Sequence, residues 1–398
     1  MPSFSSINCY LMKLSLTRFK AYLAQAMAKL WYTQRLSGSL FLLLPFVLLL
    51  PFSLVYAFLV LFKHWLKTHF GSVYRPPVFS ICVGNLTVGG TGKTPTVAAL
   101  AQALRDAGWH PGIVSKGYGR DGSETVFVTP QDSAQRVGDE PLWLCQTTGL
   151  PVAVGSHRPA TIDFLLRACQ KRGQALDLIL LDDGLQDTSL RVDRHLAVLD
   201  AERGLGNGHC LPLGPLREPF ALQRLREMDA IIIHGQTQPD CNDYGGLKKV
   251  CHLTLEPIGF QNLGGLQETQ SVSDFVQTHG AKTNALHAVA GIGHPKRFFQ
   301  SLSALGLSIQ AHQEHVFPDH HPYQASDFNF IRSKQEVIIL TEKDAVKCQN
   351  LPKTLQAQLW VLLTTAKLQP MHHLLEILGC DRVASTVPSH QKDLRHAG

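Results

Sequence analysis

Residues Val78–Leu104 read VFSICVGNLTVGGTGKTPTVAALAQAL. An apolar run, Val78–Val83, predicts a buried strand. A glycine-rich turn, Gly84–Gly92, follows it, and a helical pattern opens at Lys93-Thr94. Strand, glycine turn and helix in this order make a phosphate-binding loop. Its backbone N–H groups and the positive end of the helix dipole face an anion. The expected cradle is Thr87, Val88, Gly89, Gly90, Thr91, Gly92, Lys93 and Thr94. Lys93 reaches the β- and γ-phosphates, and the Thr94 hydroxyl is a Mg²⁺ ligand.

The usual pattern is G-x-x-x-x-G-K-[ST], and its first glycine falls on Thr87. Gly89 and Gly90 lie inside the loop instead, giving GGTGKT. This resembles the loop K-G-G-x-G-K-[ST] of one subclass of P-loop NTPases, with Val88 in place of the extra lysine. The alternative is an ordinary strand-to-helix turn, which the clear strand and helix on either side disfavour.

The chain has 398 residues, 44% hydrophobic and 17% charged, enough for two or three domains with real cores. Its nine cysteines include no C-x-x-C pair and are odd in number, which fits reduced thiols better than a disulfide framework. The net charge of +6 is unevenly placed. Residues 1–75 hold eight Lys/Arg and no acid, leaving 29 basic against 31 acidic residues in the rest. No basic groove for nucleic acid is expected in the body.

Ser39–Phe62 is 24 residues without a charge, long enough to cross a bilayer. Trp31, Tyr32 and Trp65 stand on its flanks, as interfacial anchors do. Lys63 and Lys67 follow with no small-residue cleavage site, so a signal peptide does not fit. Pro45 and Pro51 leave a kinked span and a re-entrant, one-leaflet anchor both open, beside the alternative of a buried core helix.

From Val78 the pattern alternates strand and helix, which predicts an α/β fold: a P-loop NTPase-like, mostly parallel sheet flanked by helices. Strands are expected at Gly112–Ser115, Thr125–Val128, Val152–Val154, Leu178–Leu181, Leu196–Leu199 and Ala230–Ile233. The polar stretch Gly235–Gly246 marks a boundary. Beyond it, strands at Val250–Leu255, Leu286–Ala290, Val337–Thr341 and Leu359–Leu363 form a second, smaller α/β domain. The expected division is 1–70 for the basic lead-in and membrane-anchor helix, 71–237 for the P-loop core, 238–380 for the second domain and 381–398 for a tail.

Leu178-Ile-Leu-Leu-Asp182-Asp183 is an apolar strand ending in acid, the Walker B pattern in which a carboxylate serves Mg²⁺. Gln186 follows closely enough to face the same site. Asp139-Glu140, after Gly138, can supply a proton acceptor and a metal-facing acid, although acids are also common in a helix's first turn. Asp319-His320-His321 offers a histidine beside a carboxylate. Arg120, Arg158 and Arg217 sit on expected loops and have the planar fork that suits a substrate phosphate; a solvated loop arginine is the competing reading. Thr341-Glu-Lys-Asp344 is not a guanine-reading motif, because its lysine is one position late.

Taken in order, VGNLTVGGTGKTP, KGYGR, GDEP, LDDGLQ, GNGHCLPLGPLREP, AGIGHPKRFF, FPDHH and LTEKDAVK span about Val78–Lys347. This ordered set resembles the tetraacyldisaccharide 4'-kinase (lipid A 4'-kinase) family. The resemblance implies transfer of phosphate from ATP to the 4'-hydroxyl of a tetraacyl disaccharide 1-phosphate, on the cytoplasmic face of a bacterial inner membrane. It implies no protein partner. It implies Asp139 as catalytic base, paired with His320. It also implies Thr94, Glu140 and Gln186 around Mg²⁺, with Asp182 and Asp183 behind them. Two positions depart from the family pattern: Asp187 stands where D-D-G-[LFY]-Q-H has histidine, and Lys116 where R-G-Y-G has arginine. The competing reading is a membrane-tethered P-loop NTPase acting as a switch or chaperone, against which Val88 and the lack of a guanine motif both count.

Overall fold

The structure, a computed structural model, describes residues 26–32, 40–235, 249–265, 269–280 and 285–381. The lead-in before residue 26, nearly all of the stretch expected to be a boundary and nearly all of the expected tail lie outside the described residues.

Thirteen strands form one sheet. They are β1 (Phe79–Gly84), β2 (Pro111–Ser115), β3 (Val126–Val128), β4 (Val152–Val154), β5 (Leu178–Asp182), β6 (Arg194–Asp200), β7 (Ala230–His234), β8 (Val250–Asn262), β9 (Thr269–Gln270), β10 (Leu286–Ala290), β11 (Glu314–Val316), β12 (Val337–Thr341) and β13 (Leu359–Gln369). The order is β11-β10-β12-β13-β8-β7-β6-β1-β5-β2-β4-β3, with β9 paired to β8. Most neighbours are parallel. The exceptions are β8–β13, β3–β4 and β8–β9.

The antiparallel ribbon β8–β13 gives the molecule its cleft. The start of β8 pairs with β7, Ile231 beside Val250 through His234 beside Leu253. The start of β13 pairs with β12, Ile338 beside Leu359 through Thr341 beside Leu362. The ribbon runs Trp360 against Asn262 to Gln369 against His252. The two parallel sets therefore point at each other, and the carboxyl ends of both open onto the middle of the ribbon. Ligands bind at such strand ends, and here two sets converge on one space.

No break in the sheet marks the division expected at 237/238. The C-terminal helix Met371–Leu378 returns to the first set, where Leu374 and Leu378 share a buried cluster with Leu104, Val198 and Leu253. A separate cluster around Phe260, Phe275, Leu302 and Trp360 serves the other set. Each fully buried Leu or Ile stabilises the fold by roughly 1.5–3 kcal/mol, so both sets have their own cores. The strands expected to end at Leu255 and Leu363 run on to Asn262 and Gln369, because each pairs with the other rather than stopping at the sheet's edge.

The apolar segment forms a helix, Leu40–Phe70, with Pro45 and Pro51 inside it. By length and composition, Leu44–Phe70 is apolar enough to cross a bilayer. One flank lies on the body. The buried Ser53 hydroxyl donates to the Cys210 carbonyl at 2.8 Å, and Tyr56 Oη donates to the Arg217 carbonyl at 3.1 Å. The opposite flank, including Leu48, Phe52, Val55, Phe58 and Leu59, is exposed, which excludes a buried core helix.

Candidate active site

The cleft has a volume of about 1640 Å³ and is lined from both strand sets. On its floor, Gly89 (φ +103°) and Gly92 (φ +95°) adopt the left-handed conformation that L side chains disfavour. A Cβ on Gly92 would fall 2.5 Å from His234 Nδ1. The helix Lys93–Asp106 starts at Gly92 with no acid in its first turn, so the N–H groups there are left for an anion. Residues Gly89 to Thr94 line the cleft. Thr87 and Val88, expected in the cradle, do not. Thr87 is buried and bridges to Leu216, and the Val88 N–H donates to the Pro215 carbonyl at 2.9 Å. Their backbone secures the Gly206–Pro219 loop instead.

Strand β5 delivers Asp182 and Asp183 beside β1, with Val83 level with Asp182. Asp183 (φ 54°) is held from two sides: Arg217 meets it with a fork at 2.6 and 3.0 Å, and Lys93 Nζ lies 3.9 Å away. Burial pushes its pKa up, but Lys93 and Arg217 outweigh this and hold it below the usual carboxylate range. Asp182 differs. It is buried, Ser115 Oγ donates to Oδ2 at 3.1 Å, and Oδ1 has no partner. Burial, with the charges of Glu140 and Asp183, raises its pKa to about 7.

A buried, partnerless carboxylate oxygen facing a phosphate cradle fits a cation. Asp182, Glu140, Gln186 and Thr94 all line the cleft. Among the described residues no three His, Cys, Asp or Glu side chains form a ready cage. Carboxylate, amide and hydroxyl oxygens beside a phosphate cradle suit Mg²⁺, which keeps waters and takes phosphate oxygens along with one or two carboxylates.

Asp139 and Glu140 open the helix Asp139–Thr148. Asp139 is buried, and its carboxylate meets His320 Nδ1 at 2.9 and 3.0 Å across 181 residues of chain. His320 itself has φ 61°, a strained conformation for a side-chain-bearing residue, and its ring lies 5.2 Å from that of Tyr118. Burial raises the Asp139 pKa, but the His320 hydrogen bond and Lys343 prevail and hold it below the usual carboxylate range. The same bond, against burial, raises His320. His321 takes no part; its Nε2 pairs with Asp327 at 2.9 Å.

Lys343, just past β12, ties the two sides together. Its Nζ lies 3.0 Å from Glu140, 3.2 Å from Asp319 and 3.9 Å from Asp139. Burial alone would lower its pKa; the three carboxylates raise it instead. Sequence reasoning passed over this lysine, although a lysine between two acids in LTEKDAVK was a signal. Arg297 and His234 were also missed. They stand together beside the cradle, with Nη1 to Nδ1 at 3.2 Å, and Arg297 pairs with the buried Asp200 at 3.0 Å.

The three expected phosphate-binding arginines divide. Arg217 reaches Asp183, Asn85 and Gln186. Arg158 is buried; it donates to the carbonyls of Asp182 and Asp183 and pairs with Asp187 at 3.1 Å. The acid at 187, where the family pattern has histidine, thus has a cation beside it. Arg120 lies off the cleft and donates to the Glu124 carbonyl within its own loop.

A sequence model of the family described as Tetraacyldisaccharide-1-P 4'-kinase matches residues 45–379. A tetraacyldisaccharide 4'-kinase of Halorhodospira halophila is 42% identical over 79% of this chain and 84% of its own length. That of Methylobacillus flagellatus is 44% identical over 67% of this chain and 72% of its own. The crystal structure of the "apo" form of LpxK from Aquifex aeolicus in complex with ATP superposes with a TM-score of 0.64 at 26% identity, covering 84% of this chain and 98% of that one. The phosphate cradle, the acid pairs and these likenesses lead to one conclusion: this chain belongs to the tetraacyldisaccharide-1-P 4'-kinase family.

Proposed function

We infer that the chain is a phosphotransferase that moves the γ-phosphate of ATP to the 4'-hydroxyl of a tetraacyl disaccharide 1-phosphate, a step of lipid A biosynthesis. The observation that carries the reading is the Asp139–His320 pair, closed across the cleft that holds the phosphate loop. Phosphoryl transfer depends on positioning and charge neutralisation more than on covalent help. Gly89 to Thr94 and Lys93 hold the phosphates of ATP. The 4'-hydroxyl oxygen bonds to the γ-phosphorus as the bond from that phosphorus to the β–γ bridging oxygen breaks and ADP leaves, and Asp139 accepts the hydroxyl proton. A carboxylate kept ionised suits a loose transition state, in which the proton departs late. His320 orients Asp139, and Lys343 balances the three acids around it.

Thr94, Glu140 and Gln186, with Asp182 and Asp183 behind them, are the residues to hold Mg²⁺. Bound there, the ion offsets negative charge on the phosphates. Arg158 and Arg217 act by fixing Asp183 and Asp187 beside the phosphate cradle; Arg120 has no such place.

The helix Leu40–Phe70 brings the body to the lipid. Its inner flank is tied to the body at Ser53 and Tyr56, and its outer flank is apolar, so it lies in one face of the bilayer. Because nucleotide is cytosolic, that is the cytoplasmic face of the inner membrane.

The test is transfer of radiolabel from [γ-³²P]ATP to a tetraacyl disaccharide 1-phosphate in detergent micelles. Label at the 4' position is the expected result. Folded protein that hydrolyses ATP without labelling lipid supports the tethered NTPase instead.

A further inference from the structure

Eight Lys or Arg side chains line the cleft, and five of them are engaged by carboxylates. Lys93 and Arg217 pair with Asp183, Arg158 with Asp187, Arg297 with Asp200, and Lys343 with Glu140. Among the described residues, Lys63, Lys67 and Lys116 line the cleft with no hydrogen-bond or ion-pair partner at their ammonium groups. Lys116 belongs to the loop after β2, beside Tyr118 and hence on the His320 side. Lys63 and Lys67 are elsewhere, on the last turns of the membrane helix.

Their direction follows from helical period. At 3.6 residues per turn, Ser53, Tyr56, Lys63 and Lys67 fall on one stripe. Ser53 and Tyr56 fix that stripe against the body. Phe58, Phe62 and Trp65 stack on the opposite face, with centroids 5.9 and 6.0 Å apart. One face of the helix therefore meets lipid, while two uncompensated cations, four residues apart, turn into the cleft.

We propose that Lys63 and Lys67 form a subsite for the phosphate that the acceptor already carries, at the bilayer edge of the cleft. This rests on the lipid-kinase reading above. A disaccharide with its 4'-hydroxyl at Asp139 has its 1-phosphate at the far end of the molecule, and a phosphate dianion needs cations not already neutralised. The subsite selects acceptors that carry this phosphate and fixes the register of the disaccharide.

The experiment uses the full chain in neutral detergent, without anionic lipid, and two acceptors: the tetraacyl disaccharide 1-phosphate and its 1-dephospho analogue. The ratio of their kcat/KM values is read for the wild type, for Lys63→Ala/Lys67→Ala and for Lys63→Arg/Lys67→Arg. The wild type favours the 1-phosphate acceptor. The alanine pair lowers that ratio on the order of tenfold or more, and the arginine pair retains most of it. An alanine pair that keeps the wild-type ratio, or loses rate equally on both acceptors because the lysines serve only membrane attachment, overturns the subsite. Unchanged ATP KM in the alanine pair certifies folded protein. A wild type that labels neither acceptor overturns the lipid-kinase reading, and the subsite with it.

Discussion

Two pairs of neighbouring acids stand at the same cleft with opposite surroundings; Asp182, Asp183 and Glu140 line it, and the buried Asp139 reaches it beside His320. At Asp182-Asp183, Asp183 is neutralised by Arg217 and Lys93, while Asp182 keeps an oxygen without a partner and a pKa raised to about 7. At Asp139-Glu140, both acids are compensated, but by groups from the other strand set, His320 and Lys343. The first pair is set up within one half of the sheet, with both cations on Asp183 and none bonded to Asp182. The second is complete only when the halves meet. The difference separates two tasks that sequence alone cannot assign to neighbouring carboxylates: awaiting a cation, and handling a proton at the junction.

The largest effect expected is that of Asp139→Asn. It removes the proposed base, so kcat falls on the order of 10²–10⁴-fold while ATP affinity, measured by calorimetry, barely changes. A variant that retains turnover returns Asp139 to a structural role. Next comes Asp182→Asn. The Mg²⁺ concentration giving half-maximal rate rises on the order of 10–100-fold, the range for groups that support a metal site. The melting temperature does not fall, since a partnerless buried carboxylate is costly. Unaltered Mg²⁺ dependence would erase the contrast between the pairs.

Lys343→Met probes the junction. Turnover drops on the order of tenfold or more, because Asp139, Glu140 and Asp319 lose their common cation. Lys343→Arg restores little, since a planar fork does not replace a point charge at three acceptors. Equal rates for Met and Lys would mean that the bridge is idle.

The remaining effect leaves catalysis aside and concerns stability alone. Burial and the adjacent Arg297 lower His234 to about 4, against an ordinary 6.5. The unfolded chain therefore binds the proton first as pH falls. This contribution is complete above about pH 6.5 and is lost toward pH 4, by up to about 3 kcal/mol. His234→Gln should flatten the melting temperature between pH 7 and 5 relative to wild type. Parallel curves would remove His234 from the acid response.

Local chemistry made much of this legible. GGTGKT between a strand and a helix gave the cradle, and the apolar run into Asp182 gave its partner. The burial of Thr87 and the tie of the Val88 N–H to Pro215 were not legible, because both depend on Pro215 and Leu216, more than a hundred residues away. The pairing of β8 with β13 was hidden for the same reason: both read as short strands, and only their register with each other extends them. Residue type marked Arg120, Arg158 and Arg217 alike as phosphate binders; their different fates follow from which carbonyl or carboxylate the fold brought near. Asp139 and His320 were joined through the family resemblance, since nothing local links positions 181 apart.

Proton transfer at the junction requires Asp139 and His320 to act as one unit. The direct measurement is a double-mutant cycle on kcat with Asp139→Asn, His320→Gln and the double variant. If His320 acts only through Asp139, the double variant is as slow as Asp139→Asn alone. Losses that multiply would show two independent contributions and contradict the unit.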